Sequence, residues 1–194
     1  MQPALNTFYT PEQYLKIERQ ALRKSEYYQG EILLMAGASR NHNRIKDNVG
    51  GELYTFLKGK DCQYFSSDMR LHIPENSLFT YPDLMVICGK IETLDKEEDT
   101  VLNANIIIEI LSKSTANYDR AEKFELYRQI PAFQEYVLID SRRIKAEVWQ
   151  RNENGIWMLA QELAAISDLL EIQTIQWKLS LQDVYAQTVG LFHH

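Results

Sequence analysis

The chain has 194 residues, enough for one domain with a sizeable core. Its 45% hydrophobic and 25% charged residues are those of an ordinary globular protein rather than a disordered or fibrous one. The net charge of -6 argues against strong non-specific binding of polyanions, although a site built from carboxylates carries negative charge until a cation joins it.

No run approaches the ~18 to 20 apolar residues of a membrane span. The opening MQPALNTFYTPEQ lacks a basic start followed by an apolar block, so no secretory signal and no membrane partner are expected, and the reading is cytoplasmic. Cys62 and Cys88 match no CxxC metal spacing and are expected to be reduced, small core residues.

In chain order, Thr10-Pro11-Glu12-Gln13 starts a helix: Thr10 caps, Pro11 suits the first helical position and Gln13 completes a capping box. That helix is expected to reach about Lys24. Glu26 to Ala36 reads as a hairpin turning at Gln29-Gly30. A second helix starts near Asn41, with Ile45, Val49, Leu53 and Phe56 on one face. Gly50 and Gly51 each cost it about 1 kcal/mol relative to alanine, and are expected to permit close packing against a sheet.

Strands follow at Gln63 to Ile73, Leu84 to Cys88 and Ile106 to Leu111, the last two apolar throughout, as for strands covered on both faces. Asp119 to Gln129 is helical, stopped before Pro131, and Tyr136 to Ile139 is a short strand. Ile144 to Gln150 and Ile156 to Gln161 form a hairpin through Asn154-Gly155, and a last short helix starts at Ser180. The fold class is α/β (α+β), a mixed sheet flanked by helices with an added C-terminal hairpin. A single domain, 1–194, would comprise a helix and hairpin (10–36), a core (41–140) and a C-terminal hairpin and helix (144–190).

Glu109 is the most informative residue. It interrupts Ile106-Ile107-Ile108-Glu109-Ile110-Leu111, and an unpaired carboxylate in a buried strand costs several kcal/mol. A basic partner, a proton, a metal or an opening at the sheet end would relieve that cost. For a lone acid the ion pair is the commoner answer. Asp83 changes the balance: it precedes Leu84-Met85-Val86-Ile87 and can point across the sheet end toward Glu109. Two carboxylates on neighbouring strands suit Mg²⁺ or Mn²⁺, hard ions that keep several waters. Asp119, Lys123 and Tyr127 share one helical stripe. Lys123 is either half of a solvated i,i+4 pair or a cation reaching over the sheet end to the acids.

Glu26-Tyr27-Tyr28-Gln29-Gly30-Glu31, His42, Tyr81-Pro82-Asp83, Glu109-Ile110-Leu111-Ser112 and Asp119-Arg120-Ala121-Glu122-Lys123 together resemble the bacterial Uma family of restriction-endonuclease-type proteins, within the PD-(D/E)xK nuclease superfamily. The resemblance runs from about Tyr9 to Tyr185. It implies a restriction-endonuclease-like core and Mg-dependent hydrolysis of DNA phosphodiester bonds, with Asp83 and Glu109 as metal ligands aided by the Ile110 carbonyl. The sequence departs from the superfamily at Leu111, where a lysine is usual. Lys113 lies on the same side but farther along the strand, and the resemblance implies that Lys123 has taken over the role.

His42 and Glu31 are secondary candidates: His42 as a residue near phosphate or metal, or simply bonded to backbone, and Glu31 as a third acid or an exposed strand residue. Arg40, Arg44 and Lys46 form a small basic cluster at the second helix start, either solvated or in contact with phosphate. DNA is the expected partner, and a homodimer would let one site per chain cut both strands. Two other readings fit: a nuclease-fold module that binds nucleic acid or regulates without cutting, favoured by Leu111 and the acidic charge, and an interaction protein whose acids are merely paired.

Overall fold

The computed structural model describes residues 8–191. The chain begins with α1 (Pro11–Glu18), whose Thr10 accepts from the Gln13 amide while the Gln13 side chain accepts from the Thr10 amide, the capping box read from the sequence. The helix stops six residues before Lys24. Its last residue, Glu18, turns inward and accepts from the Ser25 amide at 2.9 Å, the Ser25 hydroxyl at 2.5 Å and the Tyr81 hydroxyl at 3.0 Å. That clamp turns the chain back into the hairpin β1 (Ser25–Tyr28) and β2 (Glu31–Leu34). Gln29 and Gly30 both have positive φ, as a two-residue type I′ turn requires.

Next come α2 (Arg40–Leu57), β3 (Cys62–Ser66), β4 (Arg70–Ile73), β5 (Leu78–Thr80) and β6 (Leu84–Cys88). The single strand expected from Gln63 to Ile73 is thus two strands. A turn at Ser67-Asp68-Met69, closed by Met69 N–H to Ser66 O at 3.1 Å, sends β4 into a different sheet from β3. The short β7 (Thr100–Val101) precedes β8 (Ile106–Leu111). The expected helix 119–129 is two pieces, α3 (Ala116–Arg120) and α4 (Glu122–Tyr127), broken at Ala121, whose φ -115° and ψ -83° leave the helical region. Then follow β9 (Glu135–Asp140), β10 (Ala146–Arg151), β11 (Trp157–Leu163), β12 (Leu169–Ile172), β13 (Trp177–Ser180) and α5 (Leu181–Val184). The β12–β13 pair was not foreseen, because its strands are short and half polar.

Two sheets organise these elements. The larger has the order β11-β10-β9-β8-β6-β3, with β8 and β9 parallel and its other neighbours antiparallel; the smaller is β2-β1-β5-β4-β7. Strand alternation sorts β8 between two cores. Ile106, Ile108 and Ile110 face Ile45, Val49 and Leu53 of α2. Ile107 and Leu111 face Phe124 and Tyr127 of α4 and Leu71, Ile73 and Leu78 of the smaller sheet. Glu109 shares the parity of the second set. No helix among the described residues is long and apolar enough to cross a membrane.

The cysteines correct the sequence reading. Cys62 and Cys88 are directly opposed in the antiparallel β3–β6 register and form a disulfide rather than two reduced core thiols. Their separation of 26 residues hid a pairing that the strand register creates.

The glycines of α2 also divide. A Cβ on Gly50 would lie 2.6 Å from Tyr64 Oη and 3.2 Å from its Cζ, whereas one on Gly51 meets nothing within 4 Å. Gly51→Ala is therefore expected to raise stability by about 1 kcal/mol in urea denaturation. Gly50→Ala should fall at least about 1 kcal/mol short of it, through overpacking. Equal gains at both positions would contradict the close contact.

Candidate active site

Strands β6 and β8 are antiparallel with Leu84 opposite Ile108, so one step beyond the ladder brings Asp83 opposite Glu109. There the side chains continue what the backbone stops doing. The Asp83 amide donates to Glu109 Oε2 at 3.1 Å, and the Ile110 amide donates to Asp83 Oδ2 at 2.9 Å. This reciprocal latch fixes both carboxylates at one end of the larger sheet. Asp83 keeps 17% of its side chain exposed, and its Oδ1 accepts no hydrogen bond among the described residues. Glu109 is 3% exposed, so the acid sits at the floor of the site and the aspartate at its mouth.

Lys123, from α4, reaches Glu109 Oε1 at 3.0 Å and is itself 6% exposed. It is not half of a solvated helical pair. Asp119 is 4% exposed and lies 3.8 Å away, and Glu26 of β1 approaches the same ammonium to 3.1 Å. Tyr127, one helical turn on, donates its hydroxyl to Glu109 Oε1 at 2.7 Å.

The remaining candidates separate. His42, in the first turn of α2, places Nε2 3.1 Å from Asp83 Oδ2, while its buried Nδ1 has no hydrogen-bond partner among the described residues. Glu31 lies exposed at the start of β2, and no ion pair or side-chain hydrogen bond joins it to the cluster. The acid that the hairpin does contribute is Glu26, whose carboxylate also accepts from the Thr80 hydroxyl. Sequence reasoning did not single out Glu26: it was visible only as the first residue of a family-like block, and nothing local separates it from a solvated strand acid. Leu111 is fully buried in the core, and Lys113 is exposed in the loop beyond β8. Arg40 and Arg44 are exposed at the α2 end that carries His42.

The charge balance is uneven. Glu26, Glu109 and Asp119 gather around one ammonium, and Asp83 adjoins Glu109. Burial pushes the Glu109 carboxyl up to about 7, against the pull of Lys123 and with the negative charges of Asp83 and Asp119 adding to the rise. Burial likewise raises Asp119. Desolvation alone would lower Lys123, but Glu109, Glu26 and Asp119 hold it well above its ordinary value and therefore charged.

Among the described residues no three His, Cys, Asp or Glu side chains form a ready ligand set for a metal. Two carboxylates are nevertheless sufficient for Mg²⁺, which commonly takes one or two from protein and fills its shell with water and substrate phosphate. The surplus of buried negative charge, and the open Oδ1 of Asp83, fit such an ion.

A mixed sheet flanked by helices is the layout of the restriction-endonuclease-like fold. A crystal structure from Anabaena variabilis, described as "a putative nuclease belonging to DUF820", superposes with a TM-score of 0.73 at 17% identity, over 92% of this chain and 98% of that one. The Uma2 family, described as "Putative restriction endonuclease", matches residues 11–182, and the chain belongs to it. Two Synechocystis sp. relatives carry the description "Uncharacterized protein". One, sll1609, is 41% identical over 152 residues, 78% of this chain and 86% of the relative. The other, slr1290, is 32% identical over 176 residues, 91% and 90% respectively.

The raised Glu109 carboxyl gives a pH dependence. The folded protein holds this proton up to about 7, whereas an ordinary glutamate releases it near 4.5, so the stabilisation is complete below the lower value and is lost as pH rises through the upper one. The urea midpoint of metal-free protein should fall across that window, and Glu109→Gln should flatten most of the fall. A midpoint that rises through the same window would overturn the charge balance described.

Proposed function

We propose that this protein is a metal-dependent endonuclease that hydrolyses DNA phosphodiester bonds, with Asp83 and Glu109 holding Mg²⁺ or Mn²⁺. The observation that carries this reading is the Asp83–Glu109 latch, two carboxylates fixed at one sheet end with more negative charge around them than Lys123 balances. Family membership and the nuclease description of the structural relative support it.

A bound divalent ion supplies Lewis-acid polarisation of the scissile phosphate and lowers the pKa of a water. The protein's own groups do the rest. Asp83 offers its free oxygen at the mouth, where a phosphate can approach. Glu109 offers the second carboxylate, held in one rotamer by Tyr127 and the Asp83 amide. His42 holds Asp83 Oδ2 from the α2 side and so leaves Oδ1 outward. Lys123 orients the attacking water and balances charge that grows on the phosphate in the transition state. Arg40 and Arg44 contribute phosphate contacts at the same helix end. The chain acts in the cytoplasm on this reading, where the Cys62–Cys88 bond would be an exception to the rule that cytosolic thiols stay reduced. A homodimer would bring two such sites to the two strands of a duplex.

Purified protein should cleave duplex, single-stranded or branched DNA with Mg²⁺ or Mn²⁺, and Asp83→Ala should abolish both cleavage and Mn²⁺ binding. Lys123→Met should slow cleavage by about a hundredfold or more. An Asp83→Ala variant as active as the parent would sink the assigned site. Mn²⁺ binding without cleavage of any of these substrates would favour a nuclease-fold module that binds nucleic acid or regulates, the reading that Leu111 in the lysine position supports.

A further inference from the structure

Glu109 faces two demands that conflict. It is 3.0 Å from the Lys123 ammonium, and on the reading above it also ligates a divalent cation. An ammonium at that distance competes with the cation for the same carboxylate. Lys123 cannot simply let go, because a buried charge without a partner is strongly unfavourable.

Glu26 supplies the missing partner. It comes from the smaller sheet, 3.1 Å from Lys123, and takes no part in the Asp83–Glu109 latch. Only 14% of its side chain is exposed, and the Thr80 hydroxyl of β5 donates to the same Oε1 that meets Lys123. Its strand is fixed at the preceding residue, where Ser25 bonds twice to Glu18 and receives the Tyr14 hydroxyl on its carbonyl at 2.6 Å. Asp119 stands behind at 3.8 Å. Besides Lys123, the acid is therefore held in place by Thr80 and the Ser25 anchor, which make no hydrogen bond to Asp83 or Glu109 among the described residues.

We infer that Glu26 is a positioning residue: with Asp119 it retains the Lys123 ammonium in the site while Glu109 turns its charge to the cation. This role rests on the metal reading of Asp83 and Glu109. It makes the Glu26–Lys123 pair the device that lets a lysine from a helix stand where the superfamily uses one from the strand.

The test is Mn²⁺ affinity by titration calorimetry on the full chain, for the parent, Glu26→Gln, Lys123→Met and the double variant. Glu26→Gln should weaken Mn²⁺ binding by about tenfold or more, the usual scale for a residue that orients a ligand without touching the ion. With Lys123→Met the competitor is gone, so Glu26→Gln should then cost less than about twofold, and the two substitutions should be non-additive. Equal weakening in both backgrounds would overturn the role, because Glu26 would then act only through its charge. Unchanged affinity in Glu26→Gln would overturn it as well. A parent that binds no Mn²⁺ fails the metal reading itself and the role with it, an outcome distinct from intact binding with an additive cycle, which fails the role alone. Should Glu26→Gln not fold, Thr80→Val removes the hydroxyl that steadies Glu26. It should weaken Mn²⁺ binding in the same direction by a smaller factor, and undiminished affinity there would also overturn the role.

Discussion

A buried ammonium among several carboxylates is the interaction on which this structure turns. Lys123 is reached by Glu109 of the larger sheet, Glu26 of the smaller sheet and Asp119 of α3, so one cation ties together elements that share no backbone ladder. Each charge would be costly alone in this interior, and each is tolerated because the others are present. Such clusters contribute modestly to stability compared with apolar packing of the same volume. Here the cluster leaves negative charge in excess beside an open aspartate oxygen.

The latch between Asp83 and Glu109 uses the same economy. Where the β6–β8 ladder ends, two amides would otherwise lack partners, and the two acids accept from them. The placement of the two acids and the termination of the strands are therefore one feature. It also explains why the acids occur at these places: Asp83 where β6 begins and Glu109 on the β8 face that looks toward α4. The histidine on α2 completes the arrangement from the opposite core and reaches the same aspartate oxygen as the Ile110 amide.

The position two residues beyond Glu109 is given over to packing. Leu111 is fully buried, and its carbonyl receives both the Ser141 amide and the Ser141 hydroxyl. A lysine there would bury a second ammonium in the apolar cluster around Tyr127 and Phe133. The cation near Glu109 comes instead from α4, and β8 completes the core with Leu111. The chemistry of a site is carried by where groups converge, and different elements can deliver them.

How much of this was legible in the sequence follows from the range of each signal. Local patterns determined the cap of α1, the Gln29-Gly30 turn, the apolar face of α2 and the two buried strands, one preceded by Asp83 and one carrying Glu109. Five ordered blocks determined the family. The Tyr81 contact at the end of α1, the division of residues 62–73 between two sheets and the Cys62–Cys88 bond depend on partners far along the chain, and no local pattern encodes them. The same is true of Glu26, which is unremarkable in its hairpin and becomes part of the site only when β1 of the smaller sheet is brought against α4. Sequence alone established that Glu109 interrupts a buried strand, because a charge among isoleucines is conspicuous by its cost. Only the tertiary structure decided which charges meet Lys123, because that depends on two sheets closing around one side chain.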